Sequence, residues 1–390
     1  MRITTSKATV RRMSQVAPTR ADDECTLFLC GDVMTGRGID QVLPHPGPPL
    51  LHEPFVRDAQ YYWQLAQTAH GPIPRPVAED YVWGDALEEW ARVAPDVRIV
   101  NLETAVTTSD CHWPAKEIHY RMSPQNLGCL KAARIDCCVL SNNHVLDWGY
   151  AGLTETLAAL RRAAIQTSGA GQNQCEAQAP ATLRLGVRSR VLVYAFGLET
   201  SGIPSEWAAG DDRPGVNLLP DLSTTTVERI GQTIASHRRV GDVVLVSLHW
   251  GSNWGYAIPT EQRTFAHQLI DRAGVDVVHG HSSHHVKAIE VHGNRLILYG
   301  CGDFLTDYEG ISGLDRYRGD LALMYFARVD ASTGRLLDLA MTPVQVHRMR
   351  LRRAGPAEVD WLRETLNREG AALGTQVRLA QRGTLVLQWR

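Results

Sequence analysis

Short apolar runs that end abruptly in polar clusters recur along this chain. "TLFLC" runs into Gly31-Asp32, "VRIV" into Asn101-Leu102-Glu103, and "CCVL" into Ser141-Asn142-Asn143-His144. Farther on, "VVLVSL" leads into His249-Trp250-Gly251, "VDVV" into His279-Gly280-His281, and "LILYG" into Cys301-Gly302-Asp303. Apolar runs of this length without alternation predict strands buried on both faces. Helical patterns lie between them. Ser123-Pro124 opens "NLGCLKAAR", and "GLTETLAALRRA" carries Leu153, Leu157 and Leu160 on one stripe with Arg161 and Arg162 in its last turn. "STTTVERIGQTIASHRR" precedes Gly241, and Pro259 opens "TEQRTFAHQLIDRA", which stops at Gly274. Strands alternating with such helices predict an α/β architecture.

Residues 44–76, with "PHPGPP" and "HGPIPRP", read as an irregular excursion of the kind that covers a site. Residues 1–24 are basic, rich in Ser and Thr, and lack the apolar segment of a secretory signal, so they read as a disordered arm. The main domain is expected over 25–345. A C-terminal helix plus hairpin, 346–390, is expected to pack on it as a small appendage.

Every polar cluster follows the C-terminal end of its strand, where ligands bind in α/β sheets. Together Asp32, Glu103, Asn143, His249, His281 and His284 offer two carboxylates, an amide oxygen and three imidazoles. This mixed set suits one or two ions of Zn, Mn or Fe better than an all-oxygen shell would. Glu103, after a central strand, is the candidate bridging carboxylate, and a cation pair would lower the pKa of a shared water enough to make it a nucleophile. His144, beside Asn143, is placed to protonate a leaving group or stabilise charge. Each piece has an ordinary alternative: Asp32 and Asn143 as turn or capping residues, His144 as a hydrogen-bonded histidine, His249 as packing. The stretch "VVHGHSSHH" tips the balance, because histidine is costly to bury unpaired and has little reason to cluster.

Around this set, Arg37 in "GDVMTGRG" is either a cation for an anionic substrate group or a structural ion pair. Trp250, Trp254 and Tyr256 form an aromatic wall or belong to the core. Asp147 and Asp303 are natural partners for ligating histidines, and Lys116 and Arg121, around "EIHYRM", are candidate substrate contacts.

Composition narrows the class. The 390 residues are 44% apolar, and 40 basic against 42 acidic residues give a net charge of −2 with no long single-sign block. Nothing there calls for nucleic acid or an anionic membrane. No apolar stretch approaches the roughly 20 residues that span a bilayer, so no membrane anchor is expected. Eight scattered cysteines, several inside apolar runs, predict buried free thiols in a reducing, cytoplasmic setting.

The stretches "GDVMTGRG", "NLETAVT", "LSNNHVLDWG", "GAGQN", "SLHWGSNWGY", "GHSSHHVKAIEV" and "LILYGCGDFL" resemble, in order, those of the CapA family. Those proteins are associated with synthesis of poly-gamma-glutamate capsules, and the family is related to calcineurin-like metallophosphoesterases. The resemblance implies a four-layer α/β/β/α sandwich with one or two divalent metals at the sheet edge. It casts Asp32 as the first-strand aspartate and Glu103 as the bridging acid. Asn143 and His144 stand for the Asn-His pair, His249 for the later histidine and His281 for the first histidine of "GHxH". Two positions depart from the phosphoesterase pattern: Met34 stands where a histidine is usual, and Ser283 stands where the second "GHxH" histidine falls, leaving His284 to substitute. The implied activity is metal-dependent hydrolysis or transfer on a phosphoester or a glutamyl or peptidyl amide, with an anionic or glutamyl substrate. A non-catalytic accessory binding an anionic polymer and a small-molecule phosphoesterase are the rival readings.

Overall fold

The computed structural model describes residues 24–390 except 115, 187, 188, 312 and 314. The expected N-terminal arm therefore lies, but for Glu24, outside the described residues. The strands that matter here are β1 (Glu24–Val33), β2 (Val97–Leu102), β3 (Cys137–Val139), β4 (Gln166–Ser168), β5 (Ala181–Leu185), β6 (Ser189–Gly197), β7 (Asp242–His249) and β8 (Val277–His281). They continue with β9 (Ile289–His292), β10 (Arg295–Leu298), β11 (Asp303–Leu305), β12 (Leu321–Asp330), β13 (Leu336–Val346), β14 (Leu351–Arg353), β15 (Thr375–Leu379) and β16 (Leu385–Trp389). The longer helices are α1 (Arg37–Val42), α2 (Gln60–His70), α3 (Ala86–Val93), α4 (Gly149–Arg162), α5 (Thr224–His237), α6 (Thr260–Asp271) and α7 (Pro356–Gly370).

Two sheets form the centre. One runs β15-β16-β13-β12-β1-β2-β3-β4, with β11 paired to β1 and β14 to β13; the other runs β9-β10-β8-β7-β6-β5. β1 to β4 are mutually parallel, as are β6, β7, β8 and β10, so each sheet has a parallel half with one carboxyl edge. Alternation along the strands sorts their side chains into three cores. Leu27, Leu29, Ile99, Val139, Val193, Leu245 and Val277 pack between the sheets. Phe28, Cys30, Val100 and Cys138 face outward against a layer that includes Trp90 of α3 and Leu153 and Leu160 of α4. Val244, Val246 and Val278 face outward against Ile230 of α5 and Phe265 and Leu269 of α6. The result is the four-layer α/β/β/α sandwich.

The expected helices are present, the one after Ser123-Pro124 broken into a 3-10 turn and a short helix at Gly128–Ala132. The excursion at 44–76 is not irregular throughout, since it contains the eleven-residue α2. The C-terminal segment is joined to the sheet itself: β16 pairs with β13, and Leu362 and Leu366 of α7 enter the inter-sheet core. Six of the eight cysteines are buried, and Cys111 and Cys175 are exposed. Among the described residues no helix is long and apolar enough to cross a membrane.

Candidate metal centre

The carboxyl edges of β1 and β2 and of β7 and β8 meet at one place. Register brings the first pieces together: Asp32 is the Cα partner of both Asn101 and Asp303, and His249 of His281. Gly31 makes the approach possible, because a Cβ there would lie 1.6 Å from the Gly302 carbonyl, which accepts from the Asp32 amide at 2.9 Å. The sheets are tied across the gap by the Ser282 amide donating to Asp32 Oδ2 at 3.2 Å.

Two ligand-like groups share one residue. Asp32, His249 and His281 form one, Asp32, Glu103 and Asp303 the other, with candidate ligand atoms within 4.8 Å of each other in each; all five side chains are buried. Asp32, not Glu103, is thus the carboxylate common to both, and Asp303, expected behind a ligating histidine, stands in the group itself. His249 Nε2 lies 2.9 Å from Asn143 Oδ1 and 3.8 Å from Glu103 Oε1. His284 meets Asp303 through Nδ1 at 2.9 Å.

Three carboxylates in one buried group repel each other. Burial, and then the neighbouring Asp303, push the Asp32 carboxyl up to about 7. Burial with Asp32 and Asp303 hold Glu103 well above its usual range. Burial lowers His284, but the facing Asp303 outweighs it and the imidazole ends above its ordinary value. Burial holds both His249 and His281 well below theirs, so both are neutral.

The tautomers follow from a chain of contacts the sequence did not disclose. His279 Nε2 lies 2.7 Å from the Cys30 carbonyl, which can only accept, so the proton of this neutral ring sits on Nε2. His279 Nδ1 must then accept from Ser247 Oγ at 3.1 Å, and Ser247 in turn accepts from His281 Nε2 at 2.8 Å. The lone pair of His281 is left on Nδ1, 2.7 Å from Nδ1 of His249 and 3.7 Å from Asp32. His249 donates through Nε2 to Asn143, so its Nδ1 is a lone pair too. Two lone pairs and a carboxylate facing one point repel unless a cation joins them. The donor set and its orientation therefore fit a divalent ion, and Ser247 and His279 act by fixing the ring that would hold it. The period-two spacing of 247 with 249 and of 279 with 281 is the signal that could have found them.

Asn101 and Asn142 do the same for Asp32. Asn142 donates to Asn101 Oδ1 at 3.0 Å, and Asn101 to Asp32 Oδ1 at 2.7 Å. His144 Nδ1 lies 2.6 Å from Asp147 Oδ2, and the ring stacks on Tyr120 with centroids 3.7 Å apart. Burial, then Lys116 and Arg37, hold His144 well below its ordinary value. The resting ring is neutral, with Nδ1 donating to Asp147 and Nε2 free to accept.

The other expected residues scatter. Lys116 is engaged by Asp147 at 2.6 Å and by the Asn143 carbonyl, bracing the Asn143-His144 turn. Arg121 bonds Asp110 and the Ser109 and Pro48 carbonyls, with its guanidinium 3.8 Å over Trp148. Trp250 points away from the cluster, stacked on Tyr299 in the outer core. Tyr256 packs on His285 and Tyr317. Trp254 lies 5.1 Å from His284 and, with Arg37, Tyr120, Tyr308 and His284, lines a cavity of about 640 Å³. Arg37 reaches this cavity already paired with Asp307 and Glu53.

The model of the bacterial capsule synthesis protein family PGA_cap matches residues 26–308, which span every residue of this cluster. The chain belongs to that family. A relative described as a probable polyglutamine synthesis accessory protein, from Mycobacterium tuberculosis, is 46% identical over 356 residues, covering 91% of this chain and 93% of the relative. The PGA biosynthesis protein CapA of Bacillus subtilis is 28% identical over 330 residues, 84% of this chain and 73% of the relative. A solved phosphatase of Mycoplasma pneumoniae aligns with a TM-score of 0.45 at 10% identity, over 86% of this chain and 96% of that one.

Proposed function

We propose that this PGA_cap member is a divalent-metal-dependent hydrolase or transferase acting on a phosphoester or on a glutamyl or peptidyl amide in capsule-type polymer synthesis. The observation that carries the reading is the sharing of Asp32 between the His249-His281 group and the Glu103-Asp303 group. An ion bound there would supply Lewis acidity toward a phosphoryl or carbonyl oxygen. Asp32, His249 and His281 would hold it, with Asn143 beside His249; Glu103 and Asp303 would complete a second position with Asp32.

The chain's own part in the chemistry falls to His144. Its Nε2 accepts the proton released by the attacking water or hydroxyl and then delivers it to the leaving oxygen or nitrogen, because the resting ring is neutral and anchored through Nδ1 on Asp147. Tyr120, Trp254 and Tyr308 bound the adjoining cavity and orient the remainder of the substrate, while Arg37 holds the cavity wall through its pairing with Asp307 and Glu53.

Metal content of protein purified without chelator, with turnover on a generic phosphodiester and on gamma-glutamyl peptides, tests this reading. His144→Ala should keep its metal and lose about 10²- to 10⁴-fold in turnover. Unchanged turnover removes His144 from the chemistry. Metal retention with no turnover on either substrate class favours the second reading, a non-catalytic accessory, which the similarity to the accessory protein of Mycobacterium tuberculosis supports.

A further inference from the structure

We propose that His70, Glu309 and His347 form a further divalent-cation site, of the kind that takes zinc, sharing no residue with the central cluster. Their candidate ligand atoms lie within 4.8 Å of one another. His70 and Glu309 also line the cavity beside the cluster. Two imidazoles and one carboxylate are a ligand set suited to zinc and its neighbours, with a position left for a ligand from the cavity.

Three separate segments are built to bring these groups together. α2 ends at His70, where Gly71 (φ 84°) turns the chain away. Glu309 follows β11 on a loop that lies against α2; a Cβ at Gly310, whose φ is 83°, would stand 2.9 Å from the Leu65 carbonyl. β13 ends just before His347, and the next two residues, Arg348 and Met349, are both in the left-handed region at φ 58° and 54°. That conformation is one that residues with a side chain rarely adopt. It lets both amides donate to Glu309, at 2.6 and 2.5 Å, so the carboxylate is clamped and aimed.

The histidines face that clamped carboxylate. His70 Nδ1 is 2.6 Å from Glu309 Oε1. The His347 ring lies with its centroid 4.4 Å from that of His70, and among the described residues its ring nitrogens make no hydrogen bond. The His347 imidazole thus stands beside the His70-Glu309 contact with a ring nitrogen available to a cation held by the same three groups. The arginines of the neighbouring stretch do not fill the position. Arg348 reaches the Pro72 carbonyl, Arg350 lies over the Tyr81 ring and Arg352 bonds Gln345.

The proposal does not depend on catalysis at the central cluster, and its test reads metal alone. Metal-free protein is dialysed against Zn²⁺ and bound zinc per chain is counted for wild type, for His70→Gln with His347→Gln, and for Asp32→Asn with His281→Gln. The first double variant should bind one equivalent fewer than wild type; the second should lose zinc at the centre yet keep the equivalent the first has lost. His347→Gln alone should weaken that equivalent by at least tenfold. His70 is one-third exposed, and melting curves verify that each variant is folded. A folded His70→Gln, His347→Gln protein that binds as much zinc as wild type leaves only a His70-Glu309 hydrogen bond and overturns the proposal.

Discussion

Replacing Arg37 with methionine should cost the fold about 4 kcal/mol while leaving the metal centre intact. The guanidinium donates to Asp307 through Nη2 at 2.5 Å and Nε at 3.2 Å, to Glu53 at 2.9 Å and to the Tyr62 hydroxyl at 3.0 Å. All three charged side chains are buried, at 2% exposure for Arg37, 0% for Asp307 and 4% for Glu53. Methionine keeps most of the stem's packing, so the loss is electrostatic. Removing one partner of a buried ion pair costs about 3–5 kcal/mol, because the other charge is left without compensation. Here two carboxylates are stranded. The Gly38 amide on Asp307 and the Tyr62 hydroxyl on Glu53 offset part of that. Losing the guanidinium from above the Tyr62 ring, 3.8 Å away, adds about 1 kcal/mol. With a urea m-value of about 3 kcal/mol/M, the unfolding midpoint should fall by more than about 1 M. Adding Asp307→Asn and Glu53→Gln to the same chain should recover most of the loss by removing the unpaired charges. A midpoint shift below roughly 0.3 M, or a triple variant no more stable than Arg37→Met, would refute the reasoning. Arg37 would then be a free cation for substrate, and Arg37→Lys would raise KM without touching stability.

Two further outcomes follow from single side chains. Ser247→Ala should fold normally but weaken metal binding by about 10- to 100-fold in competition with a chelator, since the hydroxyl that fixes the His281 tautomer is gone; unchanged affinity would break the Cys30-His279-Ser247-His281 chain of inference. At Glu89, burial alone would raise the carboxyl, but hydrogen bonds from Arg92 and Thr342 and the charge of Arg353 win and pull it down to about 2. The folded value lies below the unfolded one of about 4.3, so this stabilisation is complete above that pH and is lost as pH falls toward 2. Glu89→Gln should therefore unfold more easily than wild type at pH 7, with the gap closing between about pH 4.5 and 2. A gap that stays constant with pH would show that the ion pairs contribute nothing.

How much of the site is legible in the chain depends on how local its cause is. Asp32, Glu103, Asn143, His249 and His281 can be read because each ends or follows an apolar run, and the carboxyl ends of parallel strands gather at one edge. Trp250 reads misleadingly as a site residue because it sits next to His249. One step along the backbone reverses the face, and its ring goes to the outer core. Asp303 looks like a supporting residue until the pairing of β11 with β1 sets it opposite Asp32. The engagement of Arg37 depends on Asp307, 270 positions away, which no window of sequence can report.

What the sequence by itself determined is therefore the alternation of buried strands and helices and the polar residues at the strand ends, since burial pattern and chain direction are local properties. The tertiary structure alone decided which carboxylate is shared, which way the His281 lone pair points and which cations are already paired. Those depend on register, desolvation and hydrogen-bond partners contributed by segments distant in the chain, and such contacts exist only once the two sheets have closed on each other.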